Sequence, residues 1–449
     1  MHYEKFQDGT VKCIEDEIPF EVPEGWAWCK LNDIYNFIDY RGATPTKITN
    51  GIPLVTAKNV KSGYIDYTID DYISEEEFKE RQQRGISKKG DILFTTEAPL
   101  GNAALADMEK FSAGQRLITF QQYGSKNELI NYVMLMFILS DFFQQQLYVN
   151  KTGSTVAGIK AAILKTLWIP VPPYNEQLRI SNTLKSAINL IDSISKNKEI
   201  LSTSISNTKS KILDLAIRGK IVPQDPNDEP ASVLLERIRA EKEELIKQGK
   251  IKRDKKESVI FKGDDNSYYG IHLPDSWNWA SLREIALSIS DGSHNPPPNN
   301  GSGIPLLSAA NINDNSILMN EISRWITNEE WKIENQRTNI EVGDVLLTIV
   351  GSIGRSAVVQ NNNHFALQRS VAVIKPCLIN PLYLMHIVQS PQIQKWLTDN
   401  SKGTAQKGIY LNALSLMIIP IPPLAEQARI VELIHIAYKQ LDLISNALL

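Results

Sequence analysis

The chain contains 449 residues, of which 42% are hydrophobic and 22% are charged, and its formal net charge is −3. This composition is typical of an ordinary soluble globular protein. The weakly acidic balance argues against nucleic-acid binding unless one face is locally basic, because DNA phosphates attract basic surfaces. The longest apolar run, Tyr132 to Phe143, contains Ser140 and Asp141 and is too short to cross a bilayer, so we expect no membrane partner.

The cysteines and the first residues predict a cytoplasmic location. Cys13, Cys29 and Cys377 are far apart and form no CxxC pair, which is typical of free thiols in a reducing compartment. The stretch from Met1 to Thr10 is polar and is not a signal peptide.

The chain contains an internal duplication. The segment IPVPPYNEQLRI, from Ile169 to Ile180, returns as IPIPPLAEQARI from Ile419 to Ile430, about 250 residues later. Upstream, EGWAW is repeated as DSWNW, and GDILFTTEAPLG as GDVLLTIVGSIG, with nearly the same spacing. Two similar but unequal copies of one domain are therefore predicted. They favour a protein that binds something at two places, with a different preference at each.

Each copy is predicted to be a mixed α/β domain. The predicted strands are Ile52–Ala57, Asp91–Thr96 and Arg116–Phe120 in the first copy, and Ile304–Ala309, Asp344–Ile349 and Ser370–Ile374 in the second. A helical stretch follows in each copy, at Glu128–Tyr148 and Pro381–Thr398. Proline cannot continue a strand or enter a helix interior, so Pro170–Pro173 and Pro420–Pro423 are interpreted as hinges.

After each hinge the apolar residues advance by alternating steps of four and three, which is a heptad seam. In the first copy the seam consists of Ile180, Leu184, Ala187, Ile191, Ile194, Lys198, Leu201, Ile205, Thr208, Ile212 and Leu215. In the second copy it consists of Ile430, Ile434, Ala437, Leu441, Ile444 and Leu448. A coiled coil is therefore predicted. Its first helix, from Asn175 to Ile217, would be roughly 65 Å long and would end at Gly219.

A further helix is predicted from Ala231 to Gln248, followed by the basic tail GKIKRDKKE, which we interpret as a solvated linker. Nothing after the second copy matches Ile200 to Ile251, so the second seam helix is abbreviated. The predicted fold class is α+β, with two tandem similar mixed α/β domains separated by long helices. The predicted segments are an N-terminal arm (1–22), a first domain (23–174), a central region (175–270, with helices 175–218 and 231–248), a second domain (271–424) and a C-terminal helix (425–449).

A search for catalytic motifs yields little. The chain has no phosphate-binding glycine loop, and its six histidines have no metal-ligand spacing, so no metal site is predicted. VPPY at Val171–Tyr174 is similar to the loop with which amino-methyltransferases hold a base, but Val171 replaces the required polar residue. Asp91 and Glu97 lack the lysine of a nuclease centre, and Gly351 occupies the second position in the other copy. No catalytic residue is therefore predicted.

Polar residues that suit DNA recognition recur at matching positions of the two copies. Arg, Gln and Asn can make paired hydrogen bonds to base edges, whereas Ser, Thr and Lys suit phosphates. The candidates in the first copy are Arg41, Thr44, Lys47, Lys58, Asn59, Thr95, Thr96, Gln115, Arg116, Lys151, Thr152, Ser154, Thr155 and Lys160. Those in the second copy are Ser293, His294, Asn295, Asn311, Thr348, Ser352, Arg355, Gln368, Arg369, Lys402, Thr404, Gln406 and Lys407.

These motifs together resemble the specificity subunit of a Type I restriction-modification enzyme. The resemblance covers essentially the whole chain. It rests on the PxPPxxEQxxI junctions, on the paired Gly-Asp-(Ile/Val)-Leu loops, and on AIRGKIVPQDPNDEPASVLLERIRAEKEEL from Ala216 to Leu245. The last segment is similar to the central conserved region of that family.

The resemblance implies a non-catalytic DNA-recognition subunit. Its two target-recognition domains would each bind one half of a bipartite site in double-stranded DNA, and two antiparallel helices would set the distance between them. Two methyltransferase subunits carrying S-adenosylmethionine would dock on the helices. Two restriction or motor subunits using ATP and Mg²⁺ would complete the complex, so this chain would bind no cofactor itself.

Two alternatives remain open at this point. A coiled-coil adaptor that binds only proteins would not confer sequence-specific adenine methylation on a co-expressed methyltransferase. A nuclease or methyltransferase acting alone would be active as the purified chain with Mg²⁺ or S-adenosylmethionine.

Overall fold

The computed structural model describes residues 3–40, 44–123, 129–153, 157–253, 260, 267–403 and 407–447. The chain divides into two compact units, Met1–Ile194 and Ser195–Leu449. The division falls inside one continuous helix, Tyr174–Ile217, so each unit contains one copy of the repeat and one part of that helix. The unit boundary therefore lies within the predicted central region.

A four-stranded antiparallel sheet lies at the centre of each copy. Its spatial order in the first unit is Tyr35–Asp39, Leu117–Gln122, Ile92–Thr96 and Leu100–Leu105. Its order in the second unit is Ala286–Asp291, Val371–Pro376, Val345–Thr348 and Ser356–Val358. The equivalent strands occur in the same order, so the two tandem mixed α/β domains predicted from the repeat are confirmed.

The central strands of these sheets are buried on both faces. Ile92 and Phe94 pack in one hydrophobic cluster with the helix that contains Leu135. Leu93 points the other way and packs with Val55 of a smaller sheet. Alternate residues of a strand face opposite sides, so both faces must be covered for the whole strand to be apolar. This double cover explains why Ile92, Leu93 and Phe94 are apolar in succession rather than in alternation with polar residues.

Smaller sheets complete each unit. The three-stranded sheets are Tyr72–Ile73, Ile52–Val55 and Ser112–Ala113 in the first unit, and Trp325–Ile326, Ile304–Leu307 and Ala366–Leu367 in the second. The two-stranded sheets pair Ala27–Lys30 with Trp168–Val171, Asn278–Ser281 with Ile418–Ile421, Tyr3–Lys5 with Val11–Cys13, Ser267–Tyr268 with Ile271–His272, and Ile312–Asn313 with Ser316–Ile317.

The prolines of the two hinges do not all lie outside the strands. Pro170 pairs with Trp28 and Pro420 pairs with Trp279, each inside a two-stranded sheet. The prediction that every hinge proline interrupts a strand is therefore wrong for these two residues. A strand in a two-stranded sheet has one unpaired edge, and the missing proline N–H costs nothing when it faces that edge.

The helical stretch predicted in each copy consists of two helices. The first copy has Asn131–Ile138 and Asp141–Val149, with Ser140 accepting a hydrogen bond from the backbone N–H of Phe143 between them. The second has Pro381–Val388 and Pro391–Asp399. The other helices and turns are Glu15–Glu17, Leu31–Ile34, Glu75–Arg81, Gln82–Arg84, Ala161–Leu164, Leu282–Ile285, Ala309–Asn311, Asn328–Thr338 and Leu411–Ser415.

The long helix, Tyr174–Ile217, ends at Gly219 as predicted. Gly219 has a φ of 63°, and the backbone N–H of Lys220 donates to the carbonyl of Leu215 at 2.9 Å. This is a Schellman ending, which favours glycine because of its left-handed φ. Two further helices follow, the connector helix Ala231–Lys247 and the C-terminal helix Leu424–Asn446.

A buried glutamine joins each domain to the helix that follows it. The Gln177 amide donates to the carbonyl of Pro172 at 2.9 Å and accepts from the backbone N–H of Ile130 at 2.7 Å. Gln427 makes the equivalent pair of bonds with Pro422 and Asn380, at 3.1 and 2.9 Å. The glutamine of the repeated EQ motif therefore sets the orientation of each helix relative to its own domain.

The predicted helix pairing is present in the second unit. Lys209 pairs with Asp442 at 2.5 Å, and Tyr438 donates to the carbonyl of Lys209 at 3.2 Å. Farther along the long helix, Leu213 is buried in one cluster with Ile430 and Ile434. Residues nearer the end of the long helix therefore contact residues nearer the start of the C-terminal helix. The two helices run antiparallel. In the first unit, by contrast, Ile191 and Ile194 are exposed.

Candidate nucleic-acid interface

The first copy brings five predicted residues together around a cavity of about 190 Å³, and we call this group the first corner. Its members are Thr44, Lys47, Lys58, Gln115 and Arg116. Three separate loops contribute them, and all three lie at one end of the strands. Thr56 and Ala98 also line this cavity and were not predicted.

Arg116 is held in an unusual backbone conformation with a φ of 63°. Its guanidinium lies 3.0 Å from the carboxylate of Glu97, with both side chains about half exposed. Its carbonyl accepts from the backbone N–H of Thr96 at 2.9 Å and from the Thr96 hydroxyl at 3.2 Å. A left-handed φ is costly for a residue with a side chain, and it recurs where function requires it. The neighbouring Gln115 amide donates to the Thr44 hydroxyl.

The lysines of the first corner differ in their pairing. Lys47 forms an ion pair with Asp71 at 2.6 Å. Lys58 is exposed and forms no ion pair with a residue that the structure describes. Lys58 is therefore the cation of this corner that is more readily available to a phosphate.

A loop beside Glu97 carries the next group of candidates. Gly158 forms isolated β-bridges with both Glu97 and Thr152. A side chain at Gly158 would be in ordinary van der Waals contact with Glu97 Cβ, at 3.4 Å. Lys151 and Lys160, at the two ends of this loop, are exposed. The bridges place this loop beside the first corner.

The second copy has a larger cavity, of about 570 Å³, and we call the residues around it the second corner. The two cavities share one equivalent lining position, which is Arg116 in the first copy and Arg369 in the second. Among the predicted residues, His294, Arg369 and Lys402 line it. The sequence did not single out Arg337, Tyr410 and Asn412, which line it as well. Tyr410 is 70% exposed and occupies the position of Lys160 in the first copy, and an exposed aromatic ring in a cationic cleft would have been a usable signal.

Asp291 organises one wall of the second corner. Its carboxylate contacts His294 Nε2 at 2.8 Å and the guanidinium of Arg337, whose Nε also donates to the Asp291 carbonyl at 2.9 Å. Gly292 follows directly, where a Cβ would meet the carbonyl of Leu367 at 2.1 Å. Only glycine permits this approach, which brings the His294 loop against the Gln368 segment.

Arg369 carries an unpaired charge in the second corner. It is exposed and forms no ion pair with a described residue. Its backbone N–H donates to the carbonyl of Ser293 at 2.9 Å, and Ser293 and Gln368 form a parallel β-bridge. The Ser293 hydroxyl itself is engaged with Glu334 at 3.1 Å. Arg369 is equivalent to Arg116. The position of Glu97 is occupied by Val350, which bridges Gly408 as Glu97 bridges Gly158, so the expectation that Gly351 occupies it is wrong.

Several candidates have structural roles instead. Asn59 is buried; its side chain accepts from the backbone N–H of Thr56 at 3.0 Å and donates to the carbonyl of Ile69 at 2.9 Å. Asn311 is buried in the same arrangement, with Ser308 and Glu321. We therefore withdraw these two from the interface, because their hydrogen-bonding groups are used within the fold. The hydroxyls of Thr95, Thr96 and Thr348 are likewise buried and bonded to backbone groups.

The remaining candidates are exposed or lie outside the described residues. Asn295, Ser352, Arg355 and Lys407 are exposed in the second copy. Thr348 accepts from the backbone N–H of Arg355 at 3.0 Å and so holds the loop that carries it. Arg41, Ser154, Thr155, Thr404 and Gln406 lie outside the described residues.

The carboxylates considered as a nuclease centre are separated. Asp91 accepts from the backbone N–H of Lys88 at 2.8 Å and thereby closes a turn before the strand Ile92–Thr96, whereas Glu97 follows the end of that strand. Burial raises the pKa of the Asp91 carboxyl. Across the described part of the chain, no group of three or more His, Cys, Asp and Glu residues is placed to hold a metal ion. No helix in that same part is long and apolar enough to span a membrane.

The chain has two tandem α/β domains, and each has a polar corner at one end of its central sheet. This arrangement is typical of a binding protein with two related binding domains. The family model described as the Type I restriction modification DNA specificity domain matches residues 23–202 and 274–448. The chain belongs to this family.

Its relatives match over nearly the whole chain. The chain is 23% identical over 452 residues to the Type I restriction enzyme EcoBI specificity subunit of Escherichia coli, covering 98% of this chain and 85% of that protein. It is 26% identical over 516 residues to the EcoEI specificity subunit of Escherichia coli, covering 99% of this chain and 83% of that protein.

Solved structures are similar in fold. A chain from a type I R-M system, solved to explain complex assembly and conformational transition, matches with a TM-score of 0.60 at 18% identity, covering 96% of this chain and 94% of that one. The HsdS subunit from Thermoanaerobacter tengcongensis matches with a TM-score of 0.53 at 18% identity, covering 96% and 93%. At this identity the likeness concerns the fold, and it agrees with tandem mixed α/β domains joined by a long helix.

Proposed function

We propose that this chain is the DNA sequence-specificity subunit of a Type I restriction-modification system, and that each copy binds one half of a bipartite site in double-stranded DNA. The observation that carries the proposal is that polar loop residues gather around the same arginine position in both copies, Arg116 and Arg369, with different side chains beside it. Two binding domains that share a fold but differ in their side chains suit an asymmetric two-part site, as symmetric dimers suit palindromes. Family membership supports the same function.

The arginines of the two corners are the residues to which we assign base contacts. A guanidinium can make two hydrogen bonds to the O6 and N7 edge of guanine, and such a pair contributes about 1–3 kcal/mol of discrimination. Arg116 and Arg369 occupy equivalent places at the start of a central strand. We assign phosphate contacts to the exposed lysines Lys58, Lys402 and Lys407, because contacts to the DNA backbone position a protein without reading sequence.

We further propose that catalysis belongs to partner subunits. Methyltransferase subunits carrying S-adenosylmethionine would dock on the helical regions, and restriction or motor subunits would use ATP and Mg²⁺. This chain would contribute recognition and spacing and would have no active site of its own. Because the chain is weakly acidic overall, we expect tight DNA binding only in the assembled complex, where partners add basic surface.

The test is to map methylated adenines in DNA from cells that express the chain with its cognate methyltransferase subunit. Arg116→Ala should weaken or relax one half of the motif, and Arg369→Ala the other half. Lys89→Ala, whose partner Glu109 is outside both corners, serves as the control and should leave the motif unchanged. If neither arginine variant alters the motif, or if both alter the same half, the assignment of one corner to each half-site is wrong.

The spacing function has a separate test. Deletion of Leu201–Lys220 from the helical region should change the number of base pairs between the two half-sites or abolish assembly. One heptad corresponds to roughly 10 Å of helix rise, or about three base pairs of B-DNA. Methylation at an unchanged spacing would refute this function of the helix.

A further inference from the structure

The two copies differ in what covers one face beside the repeated tryptophan. In the second unit, the connector segment, from Gly219 to Lys247, packs on this face. Its apolar residues Leu234, Leu235 and Ile238 share a hydrophobic cluster with Leu282 and Ile285 of the second copy. All five side chains are at most 1% exposed. The second copy is therefore sealed by a segment that lies outside its repeat.

Glu426 is the polar anchor of this contact. It is fully buried and accepts hydrogen bonds from Trp277 Nε1 at 2.9 Å and from the Gln224 amide of the connector segment at 2.5 Å. Gln224 also accepts from the Ser276 hydroxyl at 3.0 Å. The carboxylate thus joins the domain, the C-terminal helix and the connector segment in one network.

Two cations of the connector helix complete the contact. Lys242 Nζ donates to the carbonyls of Arg283 and Glu284 at 3.0 and 3.3 Å, at the end of the short helix Leu282–Ile285. Arg239 pairs with the Glu284 carboxylate at 3.1 Å. Cations are stabilised at a helix C-terminus by its exposed carbonyls. The connector segment therefore binds the second copy through three features of its own, which are an amide donor, an apolar stripe and two basic residues.

The first copy has the same anchors, but the described residues of its own unit include no segment like the connector segment on them. Trp26 is equivalent to Trp277, Glu176 to Glu426, and Ile34 to Ile285. All three are partly exposed, whereas their counterparts are buried. The Trp26 indole nitrogen is covered by protein, yet it has no hydrogen-bond partner among the described residues. Asp33 is exposed where its counterpart Glu284 is buried.

We infer that this first-copy face, formed by Trp26, Asp33, Ile34 and Glu176, is a docking site for an amphipathic helical segment of another polypeptide with the chemistry of the connector segment. An incoming amide would donate to Glu176, which would then accept from Trp26 as Glu426 does from Trp277. Basic residues two to three turns into the helix would meet Asp33. The connector segment of a second chain is unsuited, because it is already engaged in its own second unit.

The test uses a synthetic peptide with the sequence of residues 219–249, added to the full-length protein and followed by isothermal titration calorimetry. We expect saturable binding of one peptide per chain, with hydrogen-exchange protection at residues 26–34 and 174–180. Glu176→Gln and Trp26→Phe should each weaken binding by about tenfold, since each removes a hydrogen bond involving a charged group. Glu109→Gln, at an exposed carboxylate of the same unit, should leave the affinity unchanged.

Peptide variants provide a test that does not depend on folding of the protein. Replacing Gln224 by Ala, or both Arg239 and Lys242 by Glu, should weaken binding by about tenfold or more. Equal affinity for the unmodified and the substituted peptides would overturn the inference. The inference would also be overturned if Glu176→Gln and Trp26→Phe left the affinity unchanged. The peptide would then be binding in the second unit, in place of the connector segment. Concentration-dependent dimers in light scattering that Glu176→Gln abolishes would assign the face to a second copy of the chain and overturn the inferred occupant. None of these measurements involves DNA, so their outcome is independent of the proposed function.

Discussion

The first and second corners share one equivalent position, Arg116 and Arg369, and differ in the charge around it. Arg116 lies 3.0 Å from Glu97, whereas the equivalent Arg369 is near Val350 and has no ion pair with a described residue. Lys160 of the first copy is replaced by the exposed Tyr410. Duplication has thus kept the strand order and the loop bridges at Gly158 and Gly408, while side chains at equivalent positions changed. Preference for a ligand can therefore diverge between the copies without a change of fold.

The interiors of the copies differ as well, at two equivalent positions. Trp277 donates to the buried Glu426, whereas the Trp26 indole has no described partner. His386 is buried against the ring of Tyr438, and the first copy has Met136 at that place. The second copy therefore depends on buried polar groups that the first copy does not use. Four measurements would break or sharpen this comparison.

The largest expected effect comes from removing the tryptophan donor. Trp277→Phe should destabilise the second unit by about 3 kcal/mol, because it leaves a buried carboxylate oxygen unpaired and opens space in a sealed core. Trp26→Phe should lower the free energy of unfolding of the first unit by less than about 1 kcal/mol, because no hydrogen bond is lost. Urea unfolding followed by far-UV circular dichroism measures both. Equal losses would show that the two tryptophans have the same role.

A pH-dependent effect should be confined to the second copy. Burial lowers the pKa of His386 to about 4 from 6.5, with the nearby His435 adding to the decrease and a hydrogen bond to Gln389 opposing it. A lowered histidine pKa means that the folded state binds the proton less tightly than the unfolded state does. The contribution of neutral His386 to the free energy of unfolding is therefore complete above pH 6.5 and is lost as the pH falls toward 4. The loss in the free energy of unfolding should be about 2.5 kcal/mol by pH 4.5.

His386→Met, which copies the first domain, is the matching variant. It should remove this part of the acid sensitivity while leaving stability at pH 7.5 within about 1 kcal/mol of the parent. The measurement is the free energy of unfolding from pH 7.5 to 4.5 for both proteins. Parallel profiles would mean that His386 does not contribute to the acid sensitivity.

The corner arginines should contribute unequally to DNA binding. In the assembled methyltransferase complex, Arg369→Ala should reduce affinity for the cognate site by about tenfold. Arg116→Ala should have a smaller effect, because Glu97 already neutralises much of its charge. Fluorescence anisotropy with a labelled duplex at fixed salt measures both. A larger loss for Arg116→Ala would reverse the comparison.

The smallest effect is expected from a variant that makes the first corner more similar to the second. Glu97→Val frees Arg116 and should raise DNA affinity about threefold at low salt, with a gain of about one in the slope of log affinity against log salt concentration. Thr68→Val, in another loop of the same unit, is the control and should change neither quantity. A fall in affinity would mean that Glu97 positions Arg116 rather than masking it.

Much of the fold was predictable because repetition and periodicity are properties of the chain alone. The long helix was predicted from Asn175 to Ile217, and the structure has Tyr174–Ile217. The connector helix was predicted from Ala231 to Gln248 and is Ala231–Lys247. The error of treating Glu128–Tyr148 as one helical stretch arose because Ser140 is neutral by periodicity and acts as a cap only in three dimensions.

The site was predicted less completely than the fold. Pairing the copies identified Gln115, Arg116 and Arg369, since equivalent polar residues at loop ends were the signal. It could not separate Asn59 from Lys58, which are adjacent in sequence but opposite in exposure. Arg337 was missed because its contact with Asp291 joins residues that are distant in the chain.

The sequence by itself determined that the protein has two related domains, a long seam helix and paired polar loops, since each of these follows from local composition, spacing and repetition. The tertiary structure decided which polar groups remain free, because a side chain is withdrawn from solvent only by partners that arrive from elsewhere in the chain. Glu176 and Glu426 have the same motif around them, yet Glu426 meets the connector segment of its own unit and is buried, whereas Glu176 is partly exposed.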